Sequence, residues 1–338
     1  MAEPDTEKSL AVLEAARARG VHLLSIPTPF AVGRVNCYLV EGDPLTLIDA
    51  GPRSEQAMSA LEDAIRATGH TVEEIGLVVA THEHIDHIGN IKAVALRSGA
   101  AVAALDKAVD RLANFDAQAL SENEMAVELM IRNGVSEEIA NRLRSIADTY
   151  RDLGDDVPVD TPLKAGRTVR FGDLELEVHH RPGHSPSDTI FLDRAEGLCF
   201  GGDHLLSHIS SNPLIARPLD GSPGRTRSLI DYANSLRATR EMEISVMLSG
   251  HGEPITDHRA LIDSYLKAQD RRRKKVLGII EDEPRTAHGI ASAIWGDVAV
   301  TQAYLTMSEV VGHTDVLQDE GLVTEVERDG LTVFEAVG

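Results

Sequence analysis

The stretch "THEHIDHIGN", residues 81–90, decides the reading of this chain. His82, His84, Asp86 and His87 fall side by side there, directly after the apolar run "IGLVVA" (75–80). A solvated loop has no need of so many imidazoles, and a core has no use for them. The apolar run reads as a buried strand, so the histidines gather at a strand end. Imidazole nitrogens and carboxylate oxygens are the ligands a borderline divalent metal such as zinc prefers. A tight loop at a strand end can aim several of them at one point. The stretch therefore reads as part of a metal site that residues elsewhere must complete.

Outward from this stretch, the bulk properties set limits. A chain of 338 residues can hold one large domain plus a small one. Its 42% hydrophobic and 26% charged content is that of an ordinary globular protein, and with only 4% aromatics its packing must rely on Leu, Val, Ile and Ala. Acidic residues outnumber basic ones 54 to 33, a net charge of −21. Such a field solubilises the surface and repels nucleic acid and anionic membrane over most of it. Cys37 and Cys199, both in strand-like apolar contexts, read as buried free thiols of a reducing compartment. The N-terminus begins acidic without a long apolar core, so no signal peptide is expected. No stretch approaches the roughly 18 apolar residues of a membrane span. A cytoplasmic protein without membrane contact is the expectation.

The pattern along the chain predicts a short helix over 8–18, strands in "VHLLSIPTPF" and "VNCYLVEGDPLTLIDAGP", and a helix over 54–68 capped by Ser54, with Met58, Leu61 and Ile65 on its apolar face. A further helix should begin near Gly89. Strand–helix alternation predicts α/β layers. Residues 105–153 read as almost purely helical. Ser121 and Glu124 suggest a capping box there, and Gly134 a helix end. A second helix should run from Ser136 to about Asp152, with Ile139, Leu143, Ile146 and Tyr150 on one stripe. Strands return over 168–203 and at "ISVMLSGHG" (244–252), followed by a helix over 257–280. After Pro284 the order is helix, helix and a hairpin turning at Asp329-Gly330, an order that resembles a winged helix. Domains of 1–283 and 284–338 follow.

The cluster resembles the H-x-H-x-D-H signature of the metallo-β-lactamase-fold hydrolases. Later segments match that family's other motifs in order: "RPGHSPSD" with His184, "CFGGDHLL" with Asp203, "LSGHGEP" with His251, and the early "LIDAGP" with Asp49. The resemblance covers residues 20 to about 255 and implies an αββα sandwich. It assigns His82, His84 and His184 to one metal, Asp86, His87 and His251 to a second, and Asp203 as the bridge. Asp49 would support the ligand loop from behind. The cofactors implied are two divalent ions, zinc first, with manganese or iron as alternatives. Such a pair activates a shared hydroxide for attack on a carbonyl or phosphorus, and Asp86 would also carry the proton to the leaving group. His179, His180, His204, His208, His258, His288 and His313 match no motif; His204 and His208 lie close enough to Asp203 in sequence to touch substrate.

Departures from known branches narrow the choice. True β-lactamases of the fold lack the bridging aspartate, flavodiiron proteins carry Glu where His84 stands, and Asp203 and His251 are too close in sequence to hold the extra domain of the long-insert nucleic-acid enzymes. The helical segment 105–153 should cover the metal face as a lid. The tail resembles that of a branch containing a β-lactamase-like endoribonuclease and several small-molecule thioesterases. Its candidate recognition helix, "TMSEVVGHTDVLQDE", holds Glu309, Asp315, Asp319 and Glu320 without Lys or Arg, the wrong sign for nucleic acid. The tail is expected to pack on the lid or to form a homodimer contact. The basic run "RRRKK" (271–275) reads as a solvated helix face or as contact with an anionic substrate tail. The expected function is hydrolysis of a small acyl substrate, a thioester, lactone or ester. A phosphodiesterase or ribonuclease is the alternative, then a mononuclear-iron sulfur dioxygenase or a non-enzymatic binder.

Overall fold

A computed structural model describes residues 6–338; the acidic start, Met1 to Asp5, lies outside the described residues. The strands β1 (Val21–Ile26), β2 (Val35–Val40), β3 (Thr46–Ile48), β4 (Leu77–Val79), β5 (Ala101–Leu105) and β6 (Thr161–Leu163) form one sheet in sequence order, antiparallel up to β3 and parallel from there. The strands β7 (Thr168–Phe171), β8 (Leu174–His180), β9 (Thr189–Asp193), β10 (Leu198–Gly202) and β11 (Val246–Ser249) form the second, antiparallel except for the β10–β11 pair.

The period-two geometry of a strand sends alternate side chains to opposite faces, and β2 shows where they go. Tyr38 and Val40 enter the core between the sheets with Ile48, Val79, Phe191, Phe200 and Leu248. Cys37 and Leu39 point to the outer face, which the helices cover. α1 (Thr6–Arg17) leads into β1. α2 (Glu55–Ala67) buries Ala57, Leu61 and Ile65 on the outer face of the first sheet, and Ser54 Oγ accepts the Ala57 amide as its cap. α3 (Ile85–Ile88) and α4 (Ile91–Ser98) follow β4. On the far side, α8 (Ser228–Arg240) and α9 (His258–Asp282) cover Ile190, Leu192, Cys199 and Met247 of the second sheet. The result is the expected αββα sandwich.

The segment 105–153 forms α5 (Val109–Ala113), α6 (Phe115–Arg132) and α7 (Glu137–Arg151). Ser121 and Glu124 do not cap: both lie inside α6, which begins at Phe115, because "FDAQAL" is itself good helix sequence and carries the helix through the Ser-x-x-Glu pattern. Gly134 does end the helix, in the left-handed region at φ 93°. A Cβ there would also lie 2.5 Å from Thr286 Oγ1, so glycine permits the tail's close approach. Ser136 caps α7 by accepting the Ile139 amide. Ile139 and Leu143 pack inward, whereas Ile146 and Tyr150 stay partly exposed.

The tail forms α10 (Ala287–Trp295), the short α11 (Val298–Thr301), α12 (Ala303–Asp319) and the hairpin β12 (Val323–Arg328) and β13 (Leu331–Ala336). Asp329 and Gly330 both adopt positive φ, as a tight hairpin turn requires. Met125 and Met130 of α6, Ala140 of α7, Val276 and Ile280 of α9, and Ile290, Met307, Val310 and Phe334 of the tail share one core. The tail therefore packs on the helical cover. Its acidic α12 is neutralised from the other elements: Arg225 makes a bidentate pair with Asp315 at 2.7 Å for each bond, Arg227 reaches Asp319 at 2.8 Å, and the basic run supplies Arg272 to Glu309 at 3.1 Å and Arg273 to Glu320 at 2.8 Å. Arg272 also lies 4.5 Å above the Trp295 ring. Both cysteines are buried and free, and among the described residues no helix is long and apolar enough to cross a membrane.

Candidate metal centre

Every residue of the cluster stands at or just beyond a strand end of the two facing sheets. His82 and His84 follow β4. Asp86 and His87 are carried by α3, so the histidine stretch is not wholly a loop: its second half is a helical turn. His184 lies in the β8–β9 connection, Asp203 follows β10 and His251 follows β11. The structure brings all seven together. Donor atoms of His82, His84 and His184 lie within 4.8 Å of one another, as do those of His82, His87 and Asp203, and those of Asp86, His87 and His251. His84 Nδ1 is 2.9 Å from His184 Nε2, Asp203 Oδ1 is 3.4 Å from His87 Nε2, and His251 Nε2 is 3.3 Å from Asp86 Oδ2 and 3.4 Å from Asp203 Oδ2. Gly250 makes this possible: a Cβ there would lie 2.3 Å from Asp203 Oδ1 and 2.7 Å from His87 Cε1.

In four of the five rings, His82, His87, His184 and His251, the opposite nitrogen is tied down, which fixes orientation and tautomer. Buried Asp49, itself at φ 57°, accepts His87 Nδ1–H at 2.7 Å, the Thr81 amide at 2.9 Å and the Thr81 hydroxyl at 2.8 Å. Since Thr81 donates to Asp49, its oxygen accepts from His82 Nδ1 at 3.0 Å. His184 Nδ1 donates to the Asn212 carbonyl at 3.1 Å and His251 Nδ1 to the Arg34 carbonyl at 2.8 Å. The inward-facing atoms are left over: His82 Nε2, His87 Nε2, His251 Nε2 and Asp203 Oδ1 are buried without a hydrogen-bond partner. Orphaned buried polar atoms are costly, and four that converge on one space fit a cation there.

The electrostatics point the same way. Burial, with His87 and His84 nearby, pushes His82 well below the usual histidine range, and burial beside His84 takes His184 down to about 4. Burial opposes charge on Asp203, but His87 and His251 outweigh it and hold the carboxyl well below its usual range; His251 and His87 also lower Asp86 against the effect of its burial. Burial also opposes charge on His87, yet Asp203 and Asp49 raise it well above an ordinary histidine. A carboxylate-rich site around this imidazole is a site prepared for positive charge.

His204 does not reach substrate. It is fully buried, with Nε2 2.9 Å from Thr239 Oγ1 and its pKa driven by burial to about 3, a core histidine. His208 is exposed beside Gly252. Sequence reading missed Glu83, Arg111 and Ser185, which are buried against the ligand loops. A carboxylate between two ligands was a visible signal for Glu83; nothing in the sequence singled out Arg111.

The centre opens into a cavity of about 640 Å³. His84, Asp86, His184, Asp203 and His251 lie in its floor, and Ala119, Val127, Met130, Leu143 and Tyr150 of α6 and α7 in its walls. Tyr304 and Leu305 of the tail complete the wall. Phe30, also in the lining, packs against Tyr150 with ring centroids 5.3 Å apart and planes tilted by 54°.

The profile of the metallo-beta-lactamase superfamily matches residues 31–251. A protein of Bacillus subtilis (strain 168) described as "Probable metallo-hydrolase YqjP" is 32% identical over 328 residues, covering 92% of this chain and 96% of that one. The "Acyl-coenzyme A thioesterase MBLAC2" of Gallus gallus is 32% identical over 184 residues, 50% of this chain and 57% of that one. A solved metallo-beta-lactamase family protein from Thermus thermophilus shares the fold, with a TM-score of 0.77 at 23% identity over 94% of this chain and 99% of that one. The chain belongs to the metallo-beta-lactamase superfamily and is one of its metallo-hydrolases, with a His/Asp cluster that fits a metal site.

Proposed function

We propose that the protein is a dinuclear metal-dependent hydrolase of small acyl substrates, a thioester, lactone or ester, with zinc as the first choice of metal. The observation that carries this reading is the single cavity in which the ligand cluster forms the floor and apolar helix faces form the walls. Pockets of this kind bind ligands that are mostly apolar with a few fixed polar groups. His82, His84 and His184 would hold one ion, Asp86, His87 and His251 the other, and Asp203 would bridge them. Divalent ions at these residues would supply Lewis acidity toward the acyl oxygen and would lower the pKa of water toward about 7.

The chain's own residues do the rest. The apolar walls exclude bulk water and hold the acyl group against the floor. As water adds to the acyl carbon, Asp86, held ionised beside His251 and His87, takes up its proton. As the carbon–sulfur or carbon–oxygen bond breaks, that proton passes to the leaving sulfur or oxygen. The acyl-coenzyme A thioesterase among the relatives supports the acyl class. The acidic surface and tail disfavour a polyanion, and Arg272 and Arg273 of the basic run are engaged with the tail. The test is kcat/KM for acyl-thioester, lactone and bis-nitrophenyl phosphate substrates on one zinc-loaded preparation. An acyl substrate should win; a phosphodiester ahead by more than about tenfold, roughly 1.4 kcal/mol of transition-state preference, overturns the assignment.

A further inference from the structure

Glu83 stands between two residues of the cluster, His82 and His84, but its hydrogen bonds cross to the neighbouring ligand loop. Ser185 Oγ donates to Glu83 Oε2 at 2.7 Å, and Ser187 Oγ donates to the same oxygen. Glu83 Oε1 lies 3.4 Å from Arg111 Nη1. The Nη2 of Arg111 donates to Glu122 Oε1 on α6 at 2.7 Å and to the Arg217 carbonyl at 2.8 Å. Glu122 in turn accepts the Arg217 amide at 3.0 Å. Glu83 and Arg111 are each only 8% exposed, and Glu83, Arg111 and Glu122 all lie in the cavity wall.

Stability alone gives no reason for this arrangement. A well-packed apolar trio of similar volume would hold the fold as well or better, because burying charge carries a desolvation cost. What the ionic trio adds is a directional link. One guanidinium joins the loop of His82 and His84, and through Glu83 the loop of His184, to the helix that walls the cavity.

We propose that Arg111 is a positioning residue that couples metal occupancy of the floor to ordering of the α6 wall. The inference rests on the metal reading of the cluster and is independent of the acyl assignment. A cation that gathers the ligand rings fixes the backbone on either side of Glu83 and of Ser185. Arg111, gripped from both ends, passes that constraint to Glu122. The coupling is reciprocal: a substrate that orders α6 also tightens the ligand loops.

Amide hydrogen exchange across residues 115–132, measured on the full chain with and without zinc, tests this. In the wild type, zinc should slow exchange about tenfold, within the usual range of site-to-site coupling. In Arg111→Met and in Glu122→Met, which removes both acceptor oxygens, zinc should still bind by titration, but the slowing should fall below about twofold, a near-complete loss of coupling. Glu122→Met removes the acceptors at a partly exposed position without a large change of volume, so it decides the matter if Arg111→Met fails to fold. An ion pair that serves the fold alone would shift exchange equally with and without zinc. A wild-type ratio retained in Glu122→Met therefore overturns the proposal, as does a wild type whose α6 exchange ignores bound zinc. Failure of zinc to bind the wild type at all overturns the metal reading and this coupling with it.

Discussion

The floor and the cover of the cavity are built on opposite terms. In the floor, ring after ring is held by a hydrogen bond on its far nitrogen: His87 by Asp49, His82 by Thr81, His184 by Asn212 and His251 by Arg34. The donors come from strand ends anchored in the core between the sheets. In the cover, Val127, Met130, Leu143 and Tyr150 present apolar surface with little directional bonding. Hydrogen bonds fix position to tenths of an ångström, whereas apolar contact tolerates variation in shape. The floor is thus suited to fix the chemistry and the cover to choose the substrate.

Substitutions should split along that line. The largest effect belongs to Asp203→Ala, which removes the carboxylate shared by both halves of the floor. It should lose metal by elemental analysis and lower kcat/KM by about a thousandfold or more, roughly 4 kcal/mol. Full metal content in that variant would refute the bridging assignment. Asp49→Asn comes next. Three donors converge on the two oxygens of Asp49, and an amide offers only one acceptor atom. Metal affinity should fall about 10–100-fold, as for other partners that orient a ligand, with KM for an acyl substrate little changed.

Acid should act on the floor alone. His87 is raised above the ordinary histidine value by Asp203 and Asp49 against the pull of burial. It must lose its proton to become a ligand, so metal affinity is full at high pH and falls as pH drops through that raised value. The fall should be about tenfold per pH unit for each proton displaced, beginning at higher pH than an unperturbed histidine would give. Titrations that show no pH dependence between about 6 and 8 would place His87 outside the ligand set. The smallest effect belongs to the cover. Phe30→Ala removes an aromatic contact with Tyr150 worth about 0.5–1.5 kcal/mol, so KM for an acyl substrate should rise about two- to tenfold at unchanged metal content. A drop in metal content there would mean that floor and cover are not separable.

The α/β layering and the dense stretch from His82 to His87 were legible in the sequence because each is locally enforced, whereas the αββα sandwich and the completing residues His184, Asp203 and His251 were read through the resemblance to the metallo-β-lactamase family. A strand end permits only a short, tight segment, and so dense a set of imidazoles and carboxylates is tolerated only where they serve one another. The tail's helix–hairpin order was legible for the same reason, through its periodicity and its Asp-Gly turn. The short strand β6 and the helix α8 were not read, since Thr161–Leu163 is too brief to show alternation and Ser228–Arg240 carries no sharply apolar face.

Other features exist only in three dimensions. Arg111 meets Glu83 and Glu122 from separate segments, and Arg272 meets Glu309 across the fold. In the sequence each is one charged residue among many, free to be solvated. The cavity wall is the same kind of case: Met125 turns into the core shared with the tail, whereas the adjacent Ala126 lines the cavity, although both are ordinary apolar residues of one helix. Motif chemistry depends on residue type at fixed local spacing, so the sequence alone determined it. Cavity shape and long-range charge pairing depend on which distant surfaces meet, and only the packing of the whole chain decided them.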